Sequence, residues 1–273
     1  MLKRADRGGF TLVELLISLV MLAIVGNAML ALVVTMHRIT RKQSETAAMQ
    51  GSLRTGFQLL QTELVELSPE DLIELNADRL RYRAMRGLGE SCEVTSTTVK
   101  VAKSSYTGLR VPTAGRDGIW LFVEGDSTRS DDDRWTPLAL SAVGAAACPG
   151  GGEAWALEVA VGEADSAKTV VPSPVRTYEE MEIGQVEEEG QHWLGIRSVG
   201  FGEASLIPLS GPVTWNGVRF TYLNGSDAPT GSAALVRSMI VTLRGITERP
   251  IGTSLAGLVR GTDSLQLRIR LRN

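Results

Sequence analysis

"GGFTLVELLISLVMLAIV" (residues 8–25) decides how the rest of the chain is read. An apolar run starts directly after two glycines, yet near its beginning it carries a carboxylate, Glu14. From Phe10 to Met36 no other side chain ionises, and the polar exceptions are Thr11, Ser18, Asn27 and Thr35. As a helix this run would rise roughly 40 Å, more than the ~30 Å hydrocarbon core of a bilayer requires. Lys3, Arg4 and Arg7 precede it against one Asp6, a basic prelude of the kind that stays cytoplasmic. Arg38, Arg41 and Lys42 follow it, so counting positive charges scarcely orients the segment.

A secretory signal peptide cut near Gly26-Asn27-Ala28 is one alternative. The apolar run, however, continues past that point to Val34, and a carboxylate at its head opposes insertion. A plain single-pass anchor leaves Glu14 without a purpose. Gly9-Phe10-Thr11-Leu12-Val13-Glu14, followed by an anchor-length apolar run, closely resembles the processing site of type IV prepilins and type II secretion pseudopilins. The resemblance implies cleavage between Gly9 and Phe10 by a prepilin peptidase, N-methylation of the Phe10 amine, and a body carried outside the inner membrane, periplasmic or extracytoplasmic. It also implies other pilin subunits and an inner-membrane assembly platform as partners, with a place in a surface filament. Burying the new ammonium is costly unless a carboxylate compensates it. Glu14 of one subunit meeting the Phe10 amine of a neighbour would supply that compensation and set the register of assembly.

After Met36 the chain becomes polar without a breaker. Met49, Leu53, Phe57, Leu60, Leu64 and Leu67 recur at steps of four and three, the period of one helical face, with Arg54, Gln58, Gln61, Thr62 and Glu66 opposite. No proline occurs before Pro69, so one helix is predicted from Phe10 to about Leu67, with Gly26, Gly51 and Gly56 as soft points. "PEDLIELN" would extend it by a turn or two.

From Ser68 onward short β-like runs alternate with turn signals, and the 29 glycines of the 273 residues fit a turn-rich β body. The runs read as strands are "TSTTVKV", "GLRV", "GIWLFVE", "AWALEVAV", "HWLGIRSVG", "VTWNGVRFTYL", "RSMIVTLRG" and "SLQLRIRLRN". In the last, Leu265, Leu267, Ile269 and Leu271 alternate with Gln266, Arg268, Arg270 and Arg272; earlier, Val218, Phe220 and Tyr222 share one parity. Residues 125–152 and 162–190 read as loops. The expected fold is α+β: a long N-terminal helix, transmembrane in its first half and amphipathic in its second, packed on an antiparallel β-sheet globular domain. The expected segments are a leader over 1–9, a transmembrane or filament-core helix over 10–36, its amphipathic continuation over 37–67 and a β-rich extracytoplasmic domain over 68–273.

Composition narrows the chemistry. The formal charge of -3 argues against a polyanion binder as the default, and two histidines, His37 and His192, supply a metal or His-based centre poorly. Gly89-Glu90-Ser91-Cys92-Glu93 begins like a nucleophile elbow but has Glu where the second glycine belongs, and no histidine accompanies it. Gly200-Phe201-Gly202 lacks the third glycine of a dinucleotide fingerprint and reads as a turn. No catalytic residue and no cofactor are expected. Asp131, Asp132 and Asp133, with Asp126, are weak candidates for a Ca²⁺ loop, although Arg129 and Arg134 are interleaved; a solvated acidic loop is the simpler account. The run Glu179, Glu180, Glu182, Glu187, Glu188 and Glu189 is read the same way. Arg237, Arg244, Arg249, Arg260, Arg268, Arg270 and Arg272 gather late, as a solvated strand face, a subunit contact or, less in keeping with the sparse aromatics nearby, a nucleic-acid surface. In an oxidising compartment Cys92 and Cys148 can form a disulfide whose ring would stabilise the fold by on the order of 4 kcal/mol.

The expected function is therefore that of a minor pilin or pseudopilin. Its size, its proline-free anchor helix and Glu14 liken it to J-type pseudopilins or W-type minor pilins, which help initiate or cap a type IV pilus or type II secretion pseudopilus. An adhesive or DNA/substrate-binding minor pilin at the filament tip is the alternative.

Overall fold

The computed structural model describes residues 11–124, 128, 133–254 and 257–272. Helix α1 runs unbroken from Leu12 to Leu64, through Gly26, Gly51 and Gly56. Its end is set by Pro69. Instead of extending the helix, "PEDLIELN" forms a single 3-10 turn, Pro69–Asp71, in which the Asp71 carboxylate accepts the Ser68 backbone N–H at 2.9 Å and the Ser68 hydroxyl at 2.8 Å. The chain then leaves as a strand, β1 (Leu72–Leu75).

The remaining strands are β2 (Arg79–Val94), β3 (Thr98–Ala102), β4 (Thr107–Gly108), β5 (Asp117–Val123), β6 (Arg134–Ala139), β7 (Ala142–Ala147) and β8 (Glu153–Glu158). After a short helix α2 (Glu163–Lys168) come β9 (Pro174–Glu188), β10 (Gln191–Ser198), β11 (Ile207–Leu223), β12 (Ser238–Ile246), the short pair β13 (Gly252–Ser254) and β14 (Gly257–Val259), and β15 (Thr262–Arg270). The two regions read as loops thus carry β6 and β7 in the first and β9 in the second, whereas "GLRV" contributes only its first glycine to β4.

Two compact units emerge: Met1–Ala48 with Thr247–Gly261, and Met49–Ile246 with Thr262–Asn273. Within the first, the described part of α1 is exposed on all sides up to Lys42, and the β13–β14 hairpin pairs Gly252 with Val259. The Glu45 carboxylate accepts the Arg249 backbone N–H at 3.1 Å.

The second unit is α1 from Met49 onward laid on an antiparallel sheet whose main path runs β15-β12-β11-β10-β9-β2-β3-β8-β7. Met49, Leu53, Leu60, Leu64 and Leu67 are buried against Leu80, Tyr82, Ile183, Leu194, Val218, Phe220, Met239 and Val241. Arg54, Gln58, Gln61, Thr62 and Glu66 remain in solvent. Burying a leucine side chain fully contributes about 1.5–3 kcal/mol, so this stripe supplies much of the helix's attachment. A second core, built on Val99, Val101, Ile119, Leu121, Leu157 and Val175, lies under the strands around β3, β5 and β8.

The helix approaches the sheet closely at one place. A Cβ on Gly56 would fall 2.8 Å from the Ser210 hydroxyl and 3.1 Å from Leu243, so the glycine there allows packing rather than bending. Ser52 clasps the same point: its hydroxyl donates to Gly211 O and accepts from Gly211 N, both at 2.8 Å, while the Ser210 hydroxyl donates to Ser52 O at 2.6 Å.

Candidate functional site

At the N-terminal end of α1 the described residues begin with Thr11, whose hydroxyl accepts the Glu14 backbone N–H at 3.3 Å. Thr11 therefore caps the helix, and Glu14 occupies the third helical position, where a carboxylate is favoured by the helix dipole and by the capping-box pattern. The Ser18 hydroxyl donates back to Glu14 O at 2.8 Å. From there to Met36 the helix is apolar around its whole circumference and exposed, including Leu12, Leu16, Leu19, Met21, Leu22, Leu30 and Leu32. It is long and apolar enough to cross a membrane. A helix hydrophobic on every face needs a membrane or other helices around it.

In the second unit the most heavily charged buried site is where β9 changes partners. One edge of β9 pairs with β10 over Met181–Glu188 and then with β5 over Val175–Glu179. Glu179 stands at this fork, 2% exposed, and collects Arg116 Nε at 2.6 Å, Arg86 Nε at 3.1 Å, Arg110 Nη2 at 3.1 Å and the Ser198 hydroxyl. Arg110 also grips buried Asp117, and Arg86 reaches Glu63 of α1 at 3.4 Å. Burial alone would raise the Glu179 pKa, but the hydrogen bonds from Arg116, Ser198, Arg86 and Arg110 outweigh it and hold the carboxyl at about 2. Tyr82, fully buried beneath, has its hydroxyl pushed well above its ordinary pKa by burial and by Glu63, to which it donates at 3.3 Å. This hub joins helix, central sheet and the 109–117 segment, and it fixes structure rather than presenting a reactive group.

Residues 4–26 match the family model of the prokaryotic N-terminal methylation motif. No curated protein and no solved structure matches the chain. The methylation motif marks type IV pilin-like and pseudopilin subunits, structural proteins that are processed by prepilin peptidase and assemble with other pilins. With the motif heading a helix of membrane-spanning character, single-pass anchoring follows for the N-terminal segment.

The other predicted residues fall as follows. Gly9 and Phe10 belong to the motif but lie outside the described residues, as do Asp126, Asp131 and Asp132. Asp133 is described, and among the described residues no group of three or more His, Cys, Asp or Glu side chains could hold a metal ion. Cys92 and Cys148 are joined in a disulfide with Cα atoms 5.6 Å apart. Cys148 follows directly on β7, so the bridge ties β2 to the end of that edge strand of the sheet. Ser91 is buried on β2, where its hydroxyl accepts the Ser173 backbone N–H at 3.0 Å, and His192 pairs across strands with Glu187; no nucleophile–base pair forms there. Gly200, Phe201 and Gly202 lie in a turn over residues 199–202.

The acidic run corrects the reading from sequence. Glu179 and Glu182 are buried, the latter held by Arg79 at 3.0 Å and by Arg197, and Glu180 meets Arg81 at 2.6 Å; only Glu187, Glu188 and Glu189 form a solvated tip. The late arginines are all exposed, and Arg268 pairs with Asp227. Leu265 is 36% exposed and Leu267 half-buried, so of the apolar positions alternating along the last stretch only Ile269 and Leu271 are buried. Sequence reading missed the hub because its members, Glu63, Arg86, Arg110, Arg116, Asp117, Glu179 and Ser198, are scattered over 136 positions of the chain.

Proposed function

We propose that this chain is a minor pilin or pseudopilin, similar to the J-type pseudopilins or W-type minor pilins, which helps to initiate or cap a filament. The observation that carries the reading is the methylation motif placed at the head of an all-round apolar helix, with Glu14 as its one charge. In this mechanism a prepilin peptidase removes residues 1–9 and the new Phe10 amine is methylated. The helix then waits in the inner membrane with residues 68–273 outside it, until an assembly motor draws it into a helical bundle. A stagger between subunits brings Glu14 of one chain to the Phe10 amine of its neighbour, which neutralises both charges in an apolar core. The disulfide between Cys92 and Cys148 is in keeping with an oxidising, extracytoplasmic location.

N-terminal sequencing and intact mass of the membrane-extracted protein test the class: a methylated Phe10 is expected, and a start near Ala28 or Met29 overturns it. Quantitation in sheared filaments tests the minor role. Deletion of the gene should abolish filaments while the chain itself makes up a small fraction of their mass; a chain that forms the bulk of the filament contradicts it.

A further inference from the structure

We propose that the second unit carries a binding site for a single carboxylate attached to a flat or apolar body. A cavity of about 620 Å³ is lined by Ser68, Pro69, Glu70, Trp135, Arg176, Ala234 and Arg237. Two of these residues bring guanidinium groups whose donors are largely unspent. Arg176 is half-buried and stacks on Trp135, its guanidinium carbon 4.2 Å from the ring centroid. Stacking uses the face of the guanidinium and leaves the N–H donors at its edge free, and among the described residues Arg176 meets no carboxylate. Arg237 is oriented by Ala234 O at 2.9 Å and Val236 O at 3.0 Å, both through Nη1, which leaves its Nη2 donors for another partner. Trp135 is itself braced edge-on by Phe122, with ring centroids 5.4 Å apart.

A held cation, a second held cation and an aromatic platform on one cavity form a receptor for a planar anion, since a carboxylate takes paired N–H donors from a guanidinium and its body packs on the indole. Two observations favour one anionic group over a polyanion. Glu70 lines the same cavity and repels a second negative charge, and the whole chain is acidic at -3. A small organic acid and a glutamate-bearing peptide segment share this chemistry. The site is independent of the filament reading and can fail or hold without it.

The test uses the full chain in detergent micelles, labelled with 5-fluorotryptophan, whose five tryptophans give separate fluorine signals, Trp135 being assigned by Trp135→Phe. Sodium benzoate, the blocked peptide acetyl-Phe-Glu-Phe-amide with its single carboxylate, inorganic phosphate and a thymidine oligonucleotide are titrated in turn. The proposal expects the Trp135 signal to move saturably with benzoate or with the peptide while Trp155, Trp193 and Trp215 stay in place. The tighter of the two carboxylates tells a small acid from a peptide source. Arg176→Gln and Arg237→Gln should each weaken binding about tenfold, as expected for loss of a charge-assisted hydrogen bond. The unmoved signals report that each variant is folded, and exposed Arg237 can be changed without disturbing the Arg176–Trp135 stack. No saturable Trp135 response to either carboxylate, a response that survives both substitutions, or tighter binding of phosphate or the oligonucleotide overturns it.

Discussion

Glu179 shows how much one side chain can hold. Its carboxyl sits at about 2 in the folded chain against an ordinary 4.5, and a folded pKa below the unfolded one means that the stabilisation is present above pH 4.5. It drains away as pH falls from there towards 2, and amounts to about 3 kcal/mol when complete. Urea midpoints should therefore fall between pH 4.5 and 2 more steeply in the parent than in Glu179→Gln. At pH 7 that variant should be weaker by about 3 kcal/mol, because three half-buried arginines lose a shared partner. Equal acid sensitivity in both would remove Glu179 from the account. The glycines of α1 provide a second contrast. Nothing lies within 4 Å of a Cβ built on Gly51, so Gly51→Ala should stabilise by about 0.5–1 kcal/mol through helix propensity alone. Gly56→Ala gains the same propensity but drives its methyl onto the Ser210 hydroxyl at 2.8 Å, and its melting temperature should drop below that of the parent. If both alanines raise the melting temperature, the close approach at Gly56 is not tight.

At the scale of elements, a rigid projection on β11 makes a further prediction. Between Val213, paired with Gly245, and Val218, paired with Leu243, four residues bulge out of the ladder and present Trp215 at 77% exposure. The Gln185 side-chain oxygen accepts Gly217 N at 2.8 Å and Val218 N at 3.1 Å and staples the bulge from the side. Gln185→Ala leaves two backbone donors without that acceptor and should cost about 1–3 kcal/mol, whereas Trp215→Ala should leave the chemical-denaturation midpoint where it is. Loss of stability in the tryptophan variant instead would mean that the indole packs in solution. The same neighbourhood explains what could be read in advance. The stripe from Met49 to Leu67 and the alternation at Val218, Phe220 and Tyr222 were legible because each pattern is complete within one segment. Strands β2 and β9 were not, because each is charged at the positions facing out of the core: Arg79, Arg81 and Arg83 on one, Glu180 and Glu182 on the other. Taken singly each looks solvated, and only their antiparallel register turns two charged stretches into neighbours that neutralise one another. Leu80, Tyr82 and Ala84 between the arginines were the period-two signal that could have revealed β2. The methylation motif was legible from six consecutive residues, whereas the hub around Glu179 required the fold to assemble it.

For the whole molecule the decisive residue is Glu14, to which the proposed mechanism gives two separable jobs. As the third residue of a helix capped by Thr11 it supports the start of α1, a role that a glutamine fills nearly as well. As a carboxylate in an apolar segment it needs a positive partner to offset its burial, and the Phe10 amine of a neighbouring subunit is the partner that the proposed mechanism supplies. Glu14→Gln should therefore insert in the membrane at the parental level, be cleaved and methylated normally, and keep its folded β domain. Its incorporation into sheared filaments should fall at least about tenfold, the penalty expected where an ammonium is buried without its counter-charge. Glu14→Ala should behave the same way in assembly, with some additional fraying of the first turn. Both measurements are made by immunoblotting membrane and filament fractions. Parental levels of Glu14→Gln in the filament fraction would assign Glu14 to helix capping alone and take the charge out of the assembly mechanism. Loss of the variant from the membrane fraction would place its role in insertion. Assembly failure with normal insertion is the pattern that the proposed pairing of the carboxylate with a cation in a neighbouring chain predicts.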